Sequence, residues 1–419
     1  MTMENSFELS LEALKPEVRL LWYCARTQIN AANAERIVTL LRGDIDWHDL
    51  LQMAFYHDVA PLLYRNLESI APGAMPEMVR TEFKKQIQVN IQGNLFLTKQ
   101  LLDLLSLFNQ HGIQVIPYKG AVLAASLYHD LALRPFDDLD ILVHERDVLQ
   151  AVDLLVSCGY EVIRPPSLAQ TNKHFRSFWV NQMVKRSPWS YQVILWNPDR
   201  PGLVELHWRT IAKYVFPRNP KELWENLGPT KLGGVDVFSF APENLLWFLC
   251  LHGAKHQWKR LRWICDIAEL VREYPDLNWE QTISHAERLG VERRLYLGLF
   301  LANRILEMPL SSEIEKKIYT VPFLGNLARQ IIDRFFDDPS ENVGPGRMSV
   351  LVFHLRVIDR IVDRGWYCLG FLKSLGHAIA AERGSMRSFS FLSWIFGLFD
   401  LGKRFGRNRL RRLLKIDSK

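Results

Sequence analysis

From Leu9 to about Asn109 the apolar positions recur every three or four residues, as at Leu97, Leu101, Leu104, Leu105 and Phe108, with almost no alternation. That is the period of a helix burying one stripe, so this stretch is predicted to be helical. At His111-Gly112, a helix stop, the period changes. Strands are predicted at Ile113–Tyr118 and Leu139–Val143, with helices at Ala121–Tyr128 and Asp147–Ser157, and Gly159-Tyr160 opens another short strand. Ser190–Trp196 and Leu203–Trp208 read as two more strands, joined by the turn residues Asn197-Pro198-Asp199-Arg200-Pro201-Gly202. Beyond Pro242 the helical period returns, at Asn244–Leu251, Leu261–Glu273, Trp279–Arg288 and Arg293–Leu306. Asp337–Gly346, rich in Asp, Pro, Gly and Asn, reads as a linker before the last helices. The pattern predicts an α+β protein with three parts: an N-terminal helical region (1–110), a small mixed β-sheet with covering helices (111–241), and a C-terminal helical region (242–419).

A chain of 419 residues, half of them apolar, buries more than one simple domain's core. No apolar run approaches the roughly 18 residues that a membrane span needs. Glu4, Glu8, Glu12 and Glu17 stand where a signal peptide would carry its basic start. The five cysteines are scattered and odd in number, which speaks against a disulfide framework or a zinc knuckle. A cytoplasmic protein is expected. The last stretch, Lys403–Lys419, with eight Lys or Arg and one Asp, carries more than the whole net charge of +6 and leaves the rest of the chain slightly acidic. The near-neutral remainder argues against nucleic acid as the substrate. The tail itself, with Phe389–Leu401 before it, suits peripheral contact with an anionic membrane, contact with RNA phosphates, or a plain solvated end.

The chemistry concentrates around Asp138-Leu139-Asp140. Strand positions two apart share a face about 7 Å from one another, so Asp138 and Asp140 project together while Leu139 and Ile141 enter the core. Two such carboxylates repel unless a cation joins them, and magnesium, completed by a nucleoside triphosphate, is the natural one. Two ions would let one activate an attacking hydroxyl while the other holds the phosphates. Glu205 interrupts a second apolar strand and is the candidate third carboxylate, with His207 on its face; the plainer reading makes Glu205 an edge-strand acid paired with Arg209. Lys119 and Gly120 end the first strand at a helix entry, where a glycine lets the backbone approach a phosphate. Arg134 can grip phosphate with two prongs.

A second cluster lies in Leu251–Asp266. His252 and His256 fall four apart, one face if helical, but Gly253 stands where a zinc protease has Glu. Two readings stay open: His252, Lys255, His256 and Arg262 line an acceptor or nucleotide cleft with Trp258 or Trp263 as a wall, or Asp266 pairs with an Arg or His in a buried network that fixes helix packing.

Taken together, Lys119-Gly120, Arg134-Pro135-Phe136-Asp137-Asp138-Leu139-Asp140-Ile141-Leu142-Val143, Gly159-Tyr160 and Glu205-Leu206-His207-Trp208 resemble the bacterial uncharacterised nucleotidyltransferases of the DNA polymerase β-like superfamily. The resemblance runs from about Trp47 to Leu270. It implies a small mixed sheet of nucleotidyltransferase type and metal-dependent transfer of a nucleoside monophosphate from an NTP to a hydroxyl-bearing acceptor, a small molecule or a protein. Asp138, Asp140 and Glu205 would be its metal ligands. A non-catalytic or regulatory nucleotide-binding module retaining the fold is the alternative. One departure stands out: the superfamily's Gly-Ser pair is replaced here by Lys119-Gly120.

Overall fold

A computed structural model describes residues 14–163, 180–181, 183–184, 190–218, 221–321, 324–335 and 346–382. Asp337–Pro345 of the expected linker and the whole basic tail, including Phe389–Leu401, lie outside the described residues. The N-terminal part is helical, with helices Pro16–Cys24, Ala31–Leu40, Trp47–Tyr56, Ala60–Ile70 and Glu77–Gln110. Two of them start on side-chain caps: Asn30 accepts from the Asn33 amide, and Asp46 accepts from those of His48 and Asp49.

Next come β1 (Val115–Pro117), β2 (Asp138–Val143), β3 (Glu161–Val162), β4 (Gln192–Asn197) and β5 (Arg200–His207), which form one sheet in the order β1-β2-β5-β4-β3. Only β2 and β5 run parallel; every other neighbouring pair is antiparallel. The chain therefore builds the small mixed sheet flanked by helices that its pattern predicts. The hairpin β4–β5 closes more tightly than the six turn residues suggest, with Asn197 paired to Arg200. A second hairpin, β6 (Leu227–Leu232) and β7 (Val235–Phe240), turns on Gly233-Gly234, both at positive φ, and lies beyond the strands that the pattern predicts.

Alternation sorts the sheet's side chains. Leu139, Ile141 and Val143 of β2, Val204 and Leu206 of β5, and Val193 and Leu195 of β4 enter a core with Leu97, Leu101, Leu104 and Phe108. On the opposite face Ile116, Tyr118 and Leu142 join a larger core that the N-terminal helices (Leu20, Leu63, Phe83) share with the C-terminal ones (Trp247, Phe248, Ile264, Leu295). Helix Glu77–Gln110 belongs to both, giving Phe83 and Ile87 to one core and Leu97 to Phe108 to the other.

The C-terminal part begins with helices Pro242–Lys255 and Leu261–Glu273, which reach the site, followed by Trp279–Leu289 and Glu292–Leu306. The histidine-rich stretch thus runs from the end of the first of these helices into the second. His256 caps the first, and Gln257 and Trp258, both at positive φ, reverse the chain into the second. No helix among the described residues is long and apolar enough to cross a membrane.

Candidate active site

Parallel pairing of β2 with β5 sets the register: Asp140 lies beside Glu205, Asp138 beside Leu203, and Leu142 beside His207. Because all four polar residues share a face, three acids and an imidazole meet at the middle of the sheet. Glu205 is on the central strand, not an edge. Arg209 gives its guanidinium to the carbonyls of Phe216 and Arg218 instead of to Glu205.

Asp140 is buried and its Oδ1 accepts from Lys119 Nζ at 2.8 Å and from His207 Nε2 at 2.9 Å. Burial alone would raise this carboxyl, but Lys119 and His207 hold it below the usual carboxylate range. Asp138, half-buried, has no such partners among the described residues. Burial and then the Asp140 charge push it up from 3.8 to about 6. The two acids of one Asp-x-Asp are thus driven apart, one kept ionised and one poised to take a proton.

His207 Nε2 also stands 3.4 Å from Glu205 Oε2, and the ligand atoms of Asp140, Glu205 and His207 all lie within 4.8 Å of one another. This trio, rather than one containing Asp138, is the group compact enough for a metal ion among the described residues. Within it the carboxylates fit a hard cation better than the imidazole does. Nε2 faces two acids and so carries the ring proton, while Nδ1 is buried without a partner among the described residues. Ligation through Nε2 would move that proton to Nδ1, where no acceptor waits. His207 is better suited as the donor that keeps Asp140 and Glu205 side by side.

Lys119 lies two residues after β1, and Gly120 opens helix Ala121–Tyr128 with φ 50° and ψ −119°. A Cβ there would lie 3.3 Å from both the Asp138 carbonyl and the Phe136 ring, so only glycine fits this conformation without strain. Arg134 is placed otherwise than a phosphate clamp would be. Its two prongs close on Asp266, Nε to Oδ1 at 2.7 Å and Nη2 to Oδ2 at 2.9 Å, with Tyr128 donating to the same Oδ1 at 2.8 Å. Nη1 reaches the Gly120 carbonyl at 3.4 Å. The guanidinium ties the glycine turn to helix Leu261–Glu273, which is the buried network that Asp266 suggested.

The face opens into a cavity of about 290 Å³ lined by eleven of the residues singled out from the sequence: Asp138, Asp140, Glu205, Lys119, Gly120, Arg134, His207, His252, Lys255, His256 and Arg262. Tyr191, Gln192, Thr210 and Asp266 line it too. Gln192 pairs with His207 across the β4–β5 hairpin, so the register carried a signal for it. Tyr191, one residue earlier, had none.

The wall facing the acids is aromatic and basic. The rings of His252 and His256 are 4.8 Å apart, and Trp263 lies 5.6 and 5.1 Å from them. Burial, reinforced by neighbouring cations, lowers both imidazoles, His256 to about 3, so both are neutral near pH 7. Trp258 is buried instead of lining the cavity. It packs on Gly253, where a Cβ would come within 2.3 Å of its ring, and that contact explains why glycine stands at this position. Arg262 donates to the Pro135 carbonyl at 2.6 Å, 3.6 Å from Asp58.

A family model described as uncharacterised nucleotidyltransferase matches residues 43–307, a span that includes every residue of this cavity. No curated protein and no solved structure matches the chain.

Proposed function

Starting from the chain's membership of the uncharacterised nucleotidyltransferase family, we propose that it transfers a nucleoside monophosphate from a nucleoside triphosphate to a hydroxyl on a small molecule or protein. The observation that carries this reading is the convergence of Asp138, Asp140, Glu205, Lys119 and the Gly120 turn on one cavity.

In the reaction the acceptor oxygen forms a bond to the α-phosphorus, the bond from that phosphorus to the bridging oxygen breaks, and diphosphate leaves with the electron pair. The hydroxyl proton goes to Asp138, which has no hydrogen-bond partner among the described residues and a carboxyl raised to about 6. Asp140 and Glu205 would hold a divalent ion, for which magnesium suits oxygen ligands and phosphates; when bound it supplies charge neutralisation at the reacting phosphate. His207 keeps the two carboxylates adjacent through Nε2. Lys119, now on Asp140, is within reach of a phosphate that enters beside that acid, where its charge offsets the one that builds in the transition state. Gly120 lets a phosphate approach the backbone at the start of helix Ala121–Tyr128.

The test is diphosphate release by the full-length protein with magnesium and each of the four NTPs, with and without cell extract as a source of acceptor. Asp140→Ala is expected to cost at least about a hundredfold in rate. Equal turnover in Asp138→Ala, Asp140→Ala and the wild type would overturn the reading. Tight NTP binding with no product under any condition would instead favour a nucleotide-binding module without catalysis.

A further inference from the structure

Lys255, the last residue of helix Pro242–Lys255, is half-buried in the wall of the cavity opposite the acids. Its ammonium donates to the Tyr191 hydroxyl at 3.1 Å and lies 4.9 Å from the centre of that ring. Among the described residues no carboxylate comes within ion-pair reach of it. The cavity's other cations are committed: Lys119 to Asp140, Arg134 to Asp266, and Arg262 to the Pro135 carbonyl beside Asp58. The one hydrogen-bond partner of Lys255 among the described residues is neutral, and the charges of Glu205 and Asp140 offset only part of the cost of withdrawing this ammonium from water, which a further anion beside it would remove.

The position says which anion. A chain of contacts leads from the acids to Lys255: Asp140 Oδ1 to His207 Nε2 at 2.9 Å, the His207 ring to the Tyr191 ring at 5.7 Å between centres, and the Tyr191 hydroxyl to Lys255 Nζ at 3.1 Å. Lys255 is therefore one aromatic residue removed from the point where the α-phosphate must sit beside Asp140 and Glu205.

We infer that Lys255, held in place by Tyr191, is the receptor for the β- and γ-phosphates of the nucleotide and remains with them as diphosphate departs. The assignment rests on the nucleotidyltransferase reading. It gives Lys255 a role in binding and leaving-group neutralisation, with the ammonium protonated throughout, and no bond to Lys255 is made or broken. Burial, then the Lys119 charge, lowers this ammonium from 10.5 to about 8, so it is still charged at neutral pH.

The experiment is calorimetric titration of the full-length protein, in magnesium at pH 7, with the best-bound NTP and with its mono- and diphosphate forms. Lys255→Met is expected to weaken triphosphate binding about 10- to 100-fold, the range for a lost hydrogen bond to a charged group, and to leave monophosphate binding within about twofold. Lys255→Arg, which keeps the charge, should retain most of the triphosphate affinity, and Tyr191→Phe should lose less than Lys255→Met. Equal losses for mono- and triphosphate, or no loss in Lys255→Met while the wild type binds NTP, would overturn the Lys255 assignment alone. If the wild type binds no NTP, the nucleotidyltransferase reading itself falls.

Discussion

Replacing Asp266 by Asn isolates what Arg134 does. The pair is bidentate at 2.7 and 2.9 Å, with side-chain exposures of 5% for Arg134 and 1% for Asp266. Asn keeps the shape but removes the charge, so the Arg134 guanidinium is left buried with hydrogen bonds to neutral groups only. Removing one partner of a buried pair costs about 3–5 kcal/mol. Tyr128→Phe gives the internal scale, because it deletes one hydrogen bond to the same carboxylate, worth about 1.5–3 kcal/mol. A third variant, Arg134→Met with Asp266→Leu, removes both charges and should be more stable than Asp266→Asn, because the desolvation cost disappears with the pair. The assay is urea unfolding followed by tryptophan fluorescence and circular dichroism in parallel, with NTP affinity measured on the folded protein. Two results would refute the reasoning. One is Asp266→Asn losing less than about 1 kcal/mol. The other is Arg134→Met unfolding like the wild type while its NTP affinity collapses, which would make the guanidinium a ligand contact and not a brace.

Asp138 is raised from 3.8 to about 6 in the folded protein, so the native state holds its proton over a pH range where the unfolded chain has released it. The stabilising contribution is present below about pH 4 and is lost as pH rises through 6; Asp138→Asn should therefore gain stability relative to wild type at pH 7.5 and not at pH 4, read from urea midpoints. If Asp138 takes the acceptor proton, turnover should climb between pH 5 and 7 and level off above, and a flat profile would exclude that role. Gly120→Ala should destabilise by about 1–3 kcal/mol, because alanine must adopt φ 50° against the Asp138 carbonyl; an unchanged melting temperature would show that the turn relaxes freely. Gly253→Ala should cost about 1–3 kcal/mol or more by driving a methyl into Trp258, with Trp258→Leu relieving part of the loss; a lack of coupling between the two would sink that account.

Much of the sheet was legible because its buried face is a plain alternation: Leu139, Ile141 and Val143 mark β2, and Val204 and Leu206 mark β5, whatever the rest of the chain does. Helix Leu261–Glu273 was legible for the matching reason, a strong stripe at helical period. Hairpin β6–β7 carried its signal in Gly233-Gly234, but its strands alternate poorly: Gly228, Pro229 and Lys231 sit among the apolar residues, and Val235 and Phe238 stay exposed. At the site, residue type and period placed the acids together, yet they say nothing of pairing. Which strand lies beside β2, and in what register, decides that His207 and not Asp138 joins Asp140 and Glu205. The same holds for Arg134, whose guanidinium suits a phosphate as well as a carboxylate until Asp266 arrives from a helix more than a hundred residues along the chain.

The 34 residues of helix Glu77–Gln110 form a rod roughly 50 Å long. Since each hydrophobic cluster closes around part of it, neither can come apart without stripping the rod's other half of support. Thermal melting should then follow a single cooperative transition. Excising 111–241 as a stand-alone piece would expose the leucines and valines that Leu97, Leu101 and Leu104 now cover, leaving an insoluble fragment where the sheet had been.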